Sequence, residues 1–517
     1  MRRAVNLITI FFSFVCISLC QTSLPKVFNL TSPGSSTLPP SNSVSHITVQ
    51  DQDTVLWIGT GKGLARSTNE GVTWESFRTN SAFANDGIFA VAVQDSLIWA
   101  STGFVKELSG GSVQTGSGYA YSTNGGTSWQ PHVGQTLDPR SDSLIVYGLD
   151  TLRILPVVVP EQNVTFDISF SPGKVWIASW ASGLRYSTND STWQRVVLPP
   201  DNRDRISPRD STGSDTLRFH IDPRQNNNFL AFAVLAVDDS TVWVGTAGGV
   251  NVSRDANKQY PSWQRFTRQN QASPILGNWV IAIKEQRFQN TRRIWTTNWK
   301  AEDPNEEFGV SYTEDGGRTW RNMLHGIRAY DFAFKDSIAY VATDDGLYRT
   351  DDGGTSFVRN GTIIDPTTRQ VITKQAVFAV GVIGDTVWAG TDDGLVSTVD
   401  NAANAFGSTW KIFRTYQQVG AAQTTYAYPN PFSPNFEITR IHYNTSNSNA
   451  NVTIDILDFG MNPVRTIIRN ASRPSGEHDE VWNCRDDEDK IVANGVYFYR
   501  VKVGANEPLW GKIMVLR

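Results

Sequence analysis

The sequence predicts an all-β protein: a seven-bladed β-propeller followed by a small β-sandwich. Three observations carry this expectation. A short apolar phrase recurs seven times along the 517 residues. Each copy is followed by a polar hairpin turn and an aromatic residue. No long window shows helical periodicity.

The best-preserved copy runs I-A-Y-V-A-T-D-D-G-L-Y-R-T-D-D-G-G-T-S-F over residues 338–357. Its apolar run ends in the turn Ala342-Thr343-Asp344-Asp345-Gly346, and a short strand, Leu347-Tyr348-Arg349, follows at once. Asp351-Asp352-Gly353-Gly354 then closes a hairpin, because Gly tolerates positive φ and Asp bonds turn amides. The other copies centre on Trp57, Trp99, Trp176, Trp243, Trp295 and Trp388. Apolar strands precede them, such as 89–93, 232–237, 280–283 and 378–382, and the closing strands open with Trp74, Trp129, Trp193, Trp263, Trp320, Phe357 and Trp410. Four strands in each of seven repeats make a propeller that fills residues 24–416. Neighbouring blades cover both faces of a blade, so in/out alternation is lost and the tryptophans fill the wedges between blades. Residues 27–31 resemble the outer strand 75–79 and compete with 410–414 to close the ring.

Composition bounds the address. A net charge of −4 and a pI near 5.9 offer no basic face for nucleic acid. Arg2 and Arg3 followed by an apolar run read as a secretory signal over residues 1–20, with Cys20 offering a lipoprotein alternative that the bulky Leu19 disfavours. The apolar run is short for a membrane span, and no later segment is expected to cross one. The expected location is therefore secreted or cell-surface. Cys16 and Cys20 fall in the signal, which leaves Cys484 alone and no intrachain disulfide.

The hairpin turns resemble the Asp-box repeat, S-x-D-x-G-x-T-W, of sialidases, sortilin-type receptors and many secreted propellers. The copies are S-T-N-E-G-V-T-W at 67–74, S-T-N-G-G-T-S-W at 122–129 and T-E-D-G-G-R-T-W at 313–320, with a Phe-ended copy at 350–357. The resemblance implies a structural turn far from the ring axis, so Asn69, Asn124, Asp315 and Asp352 read as structural. The phrase W-x-G-T-x-x-G-L, as in Trp57 to Leu64 and Trp388 to Leu395, also resembles propellers fused to two-component sensors.

Insertions mark the candidate surface. Connections between second and third strands share one face with the blade-to-blade connections, so insertions at 104–118, 300–307, 131–162 and 199–228 are expected to crowd that face. Trp180, Trp299, Lys300, Asp344, Asp345, Asp392 and Asp393 come from the same class of turn and are the candidate ligand-binding residues. Ordinary solvated turns are the alternative reading. The five arginines and five aspartates between 201 and 224 read as a solvated loop, and Asp-Ser/Thr triplets at Asp53, Asp95, Asp336 and Asp385 read as turns.

Catalysis has little support in the sequence. Sialidases gather arginines near the axis, whereas the inner strands here carry none; residues 152–156 only faintly echo their F-R-I-P signature. Six scattered histidines have no metal-ligand spacing, so neither metal nor cofactor is expected.

Beyond a linker at 417–427, strands at 438–443, 452–457, 463–468, 480–483, 496–503 and 511–516 suit a β-sandwich. The residues Y-P-N-P-F, V-T-I-D-I-L-D-F-G, A-N-G-V-Y-F-Y-R-V and G-K-I-M-V-L-R closely resemble the C-terminal sorting domain of type IX secretion and the Ig-like domain of flagellar hook-capping proteins. The resemblance covers residues 428–517 and implies handling by outer-membrane secretion machinery. The expected function is an exported, non-enzymatic propeller that binds a protein or glycan on its insertion-rich face. A glycan-degrading hydrolase or lyase, or a structural part of the secretion or envelope machinery, are the alternatives.

Overall fold

The computed structural model describes residues 38–414 and 425–517, apart from 51–54, 79, 85, 109–110, 142, 191, 210–215, 369, 373, 435–437 and 446–448. The signal, the strand expected at 27–31, Asp53 and most of the linker lie outside the described residues. Those described form strands and two short 3₁₀ turns, with no α-helix among them.

Seven four-stranded antiparallel meanders follow one another, at 44–76, 87–134, 165–195, 231–266, 283–323, 329–359 and 379–413, here blades 1 to 7. In every blade the recurrent apolar phrase is the second strand, and it is buried because blades cover it on both sides. The inner strand of blade 5 starts later than expected, at Ile283; Val280 instead donates its amide to the Thr246 carbonyl of blade 4 at 2.9 Å.

The wedges between blades are aromatic. Each closing-strand aromatic packs against the second-strand aromatic of the blade before it: Trp129 on Trp57 (6.4 Å), Trp193 on Trp99 (5.9 Å) and Trp320 on Trp243 (6.3 Å). Trp263 with Trp176, Phe357 with Trp295 and Trp410 with Tyr340 share clusters in the same way. Trp74 of blade 1 meets Trp388 of blade 7 at 6.4 Å, and the Val44 amide donates to the Thr391 carbonyl, so the ring closes on itself. Lys411–Phe413 holds the outer position of blade 7.

The hairpin turns show why their sequence is fixed. In the turn before Trp74, the Ser67 hydroxyl accepts from the Gly71 amide at 2.9 Å and Asn69 Oδ1 accepts from the Thr73 amide at 2.9 Å. Ser122 and Asn124, and Thr313 and Asp315, repeat this arrangement. The second glycine has positive φ and no room for a side chain: a Cβ at Gly126 would stand 2.8 Å from Trp57.

Two long insertions depart from expectation. Residues 131–162 and 199–228 do not crowd the mouth of the ring; much of each runs down its rim between blades 3 and 4. Leu144–Tyr147, Asp150–Ile154 and His220–Ile221 form a separate three-stranded sheet, and Arg205–Ile206 pairs with the outermost strand of blade 4. The reason is apolar content. Tyr147, Leu152, Ile154, Leu217 and Ile221 bury against Trp176 and Trp263. The charges between 201 and 224 are not merely solvated: Arg209 pairs with Asp150 at 2.7 Å, Asp222 with Arg224 at 2.8 Å, and Asp201 with Arg265 at 3.2 Å. The F-R-I-P-like segment is simply a strand of this added sheet.

The second body packs a three-stranded sheet, Thr425–Tyr428, Thr439–Asn444 and Glu477–Trp482, against a four-stranded one, Ala450–Leu457, Pro463–Arg473, Gly495–Val503 and Leu509–Val515. Its first strand starts inside the stretch read as linker. Cys484 is buried in its core beside Trp482, and burial pushes its thiol up to about 12, where it is no nucleophile.

Candidate functional site

The inner strands create the site through a repeated irregularity. In blades 1, 2, 3, 4 and 6 the pairing of first and second strands is broken by one extra residue, and these residues are Ser45, Phe89, Phe166, Phe232 and Tyr330. A bulge re-aims a side chain and frees it from the ladder. Here all five line one cavity at the mouth of the ring, joined by Ile281 of blade 5 and Phe378 of blade 7.

The aromatics form a chain around the mouth. Ring centroids lie 6.2 Å apart from Phe89 to Phe166, 5.5 Å to Phe232 and 5.3 Å to Trp279. The chain continues to Trp299 at 5.7 Å, Tyr330 at 5.6 Å and Phe378 at 5.1 Å. Trp180 leans on Phe166 and Phe232. Backbone bonds in both directions between Trp279 and Trp299 hold those two indoles side by side. Only blade 1 breaks the collar, because Ser45 turns its hydroxyl onto the Gly59 and Ile88 carbonyls. Most of these rings are half-buried, unlike the second-strand tryptophans, which are buried.

Of the sequence candidates, Trp180 and Trp299 line this cavity; Lys300, Asp344, Asp345, Asp392 and Asp393 do not. Each of the five has a local role. Lys300 lies over Phe308, and the Asp344 carboxylate accepts from the Arg328 amide. Asp345 pairs with Arg359 at 2.8 Å and accepts from the Tyr348 hydroxyl at 2.7 Å. Asp392 pairs with Lys374 at 3.2 Å. Asp393 is buried against Arg414 at 2.7 Å, and burial pushes its pKa up to about 6 in spite of that guanidinium. Among the described residues of the four insertions, only those of the blade 2 hairpin reach the cavity, Phe104, Val105 and Lys106 among them.

Below the collar the axis is polar. Asp167, Lys284, Asp331 and His46 sit on inner strands, and most of their bonds tie blade to blade. Asp167 accepts from the Val234 amide at 2.9 Å and Asp331 from the Val380 amide at 3.1 Å, while Lys284 Nζ donates to the Phe332 carbonyl and meets Asp331 at 2.6 Å. Burial lifts the Asp167 carboxyl to about 7, against the pull of the Val234 and Ile168 amides and of Lys284, and lowers His46 to about 4. Among the described residues no group of three His, Cys, Asp or Glu is placed to hold a metal ion, and no helix is long and apolar enough to cross a membrane.

No family model matches the sequence, and no curated protein matches it. Solved structures match at low similarity. One is PorZ, an essential surface component of the type-IX secretion system of Porphyromonas gingivalis, at 14% identity and a TM-score of 0.37; the match covers 92% of this chain and 66% of PorZ. YCF48 bound to D1 peptide matches at 13% identity and 0.40, over 70% of this chain and 95% of that one. The extracellular domain of the hybrid two-component system BT3049 from B. thetaiotaomicron matches at 12% and 0.31, over 92% and 73%. The propeller assignment rests on the chain's own seven sheets. The collar aromatics were missed from sequence, although they left a signal: an aromatic recurs at a near-constant distance ahead of the second-strand aromatic, as in Phe89 and Trp99, Phe166 and Trp176, Tyr330 and Tyr340, and Phe378 and Trp388.

Proposed function

We propose that this is an exported, non-enzymatic propeller that binds a protein or glycan at the mouth of its ring. In this reading residues 428–517 route the chain through outer-membrane secretion machinery to the surface or beyond. The observation that carries the reading is the aromatic collar. Half-buried Trp, Tyr and Phe rings side by side offer flat, low-entropy faces for sugar rings or apolar side chains. The Asp-box-like turns and the C-terminal resemblance support an extracellular address.

A glycan-degrading hydrolase is the competing reading, and Asp167 with Asp331 are the groups that would serve it. Both carboxylates are already committed to neighbouring strands or to Lys284, which favours a structural role. The test is to pass the full-length protein over arrays of bacterial and host glycans and over surface-protein extracts, assaying reducing-end release on every glycan hit. Binding without release, weakened at least tenfold by Trp180→Ala, is the expected result. Sugar release abolished by Asp167→Asn overturns the non-enzymatic reading.

A further inference from the structure

The mouth of the ring opens only partly to solvent. The C-terminal sandwich stands over it, and the two bodies wall a single cavity of about 1790 Å³. The propeller side of this cavity is the aromatic collar. The sandwich side is strongly polar and includes Arg440, Arg465, Asp479, Arg485 and Asp487. We propose that the sandwich is a removable cap, seated on the ligand mouth at rest and displaced before a large ligand can dock. This deepens the binding reading above, since it concerns access to that same collar.

Three observations support a cap that can leave. The ties between the bodies are polar: Arg78 Nη2 donates to the Pro434 carbonyl at 3.0 Å, and Lys374 Nζ meets Asp479 at 3.0 Å. Lys374 also holds Asp392 of blade 7 at 3.2 Å, so one ammonium bridges ring and sandwich. Its receptor is preformed, because Asp479 is buried and held by His442 of the adjacent strand at 3.0 Å. Moreover, every hydrophobic cluster among the described residues belongs wholly to one body: the sandwich core contains no propeller residue, and the propeller clusters contain no sandwich residue. A permanent domain interface is large and apolar, whereas a polar, cavity-containing one permits relative motion. Finally, the Lys374 side chain is 42% exposed, so salt reaches the tie from the ring side although Asp479 is buried.

The test reads access to the collar and uses no ligand. In the full-length chain carrying Cys16→Ser, Cys20→Ser and Cys484→Ser, Phe378→Cys places a thiol in the collar, and Val358→Cys, at an exposed position on the outer strand of blade 6, is the control. Each is labelled with a bulky polyethylene-glycol maleimide. With the cap seated, the collar thiol reacts at least tenfold more slowly than the control. Lys374→Glu is expected to raise the collar rate about tenfold, and about 1 M salt, where the Debye length is about 3 Å, to raise it by less because Asp479 is buried, both leaving the control unchanged. Asp479→Asn tests the same tie from the sandwich side should Lys374→Glu fail to fold. Equal rates at both positions in the parent chain overturn the cap. A slow collar rate that neither substitution nor salt moves overturns its being removable. A collar that opens as expected yet binds nothing on the arrays leaves the cap standing and removes the binding reading.

Discussion

Trp99 and Trp180 belong to consecutive blades and are chemically the same side chain, yet they do opposite work. Trp99 is fully buried; it stacks on Tyr121 at 4.5 Å and takes the edge of Trp193 from the next blade. Trp180 is half-buried at the mouth, leaning on Phe166 and Phe232 with part of its surface turned to the cavity. The difference lies in where the repeat places them. The second strand is sandwiched between blades, so an aromatic there is enclosed on both faces. The turn beyond that strand, and the bulge on the inner strand, face the axis, where seven blades converge and cannot fill the space. Aromatic repeats in a ring thus serve cohesion at one register and exposure at another.

The largest effect that would break this contrast is at the wedge. Trp99→Ala removes a buried indole touching two blades and is expected to cost about 3–5 kcal/mol, read as a fall in the urea midpoint. A loss below about 1 kcal/mol would mean the wedges are not what holds neighbouring blades together.

A second prediction concerns the polar layer beneath the collar. Asp167 titrates near 7 in the folded chain because burial penalises its charged form, against an ordinary value of 3.8 when unfolded. The folded state therefore binds this proton more tightly, and the group's contribution to stability falls as pH rises from about 4 to about 7. His46, Lys284 and Asp331 share the axis. Asp167→Asn is expected to flatten the slope of melting temperature against pH within that window. An unchanged slope would place the carboxylate in water and leave the axis open to ligands.

Much of the cohesive half was legible in the sequence, and little of the exposed half was. The seven second strands, their tryptophans and the Asn69-type turns announce themselves because each copy repeats residue types at fixed spacing. The collar is harder to read because a bulge is a property of pairing between two strands: the spacing marks a recurrent aromatic, but nothing within A-Y-D-F or T-F-D-I marks it as the extra residue. The rim sheet was hidden differently. L-I-V-Y-G-L-D-T-L-R-I at 144–154 carries a hairpin pattern, but its partner at 220–221 is two residues long and lies in another insertion. The acidic candidates lie outside the collar cavity, and a turn aspartate looks the same in sequence whether it faces a ligand or an arginine: Asp345 and Asp393 face Arg359 and Arg414.

The smallest effect on stability carries the sharpest test of the contrast. Trp180→Ala removes an indole that leans on the rings of Phe166 and Phe232 at the edge of the cavity. Trp299 is less suitable, since its Nε1 donates to the Ala329 carbonyl at 2.9 Å and so props the inner strand of blade 6. The expected cost of Trp180→Ala is about 1 kcal/mol or less, typical of a site away from the packed core. The urea midpoint should hardly move, while affinity for whatever the arrays identify falls at least tenfold, because central aromatic anchors carry a disproportionate share of binding energy. Should the same substitution destabilise the ring as much as Trp99→Ala, the collar is a second wedge and the binding surface must be sought on the blade 2 hairpin, where Phe104 and Val105 stand exposed beside it.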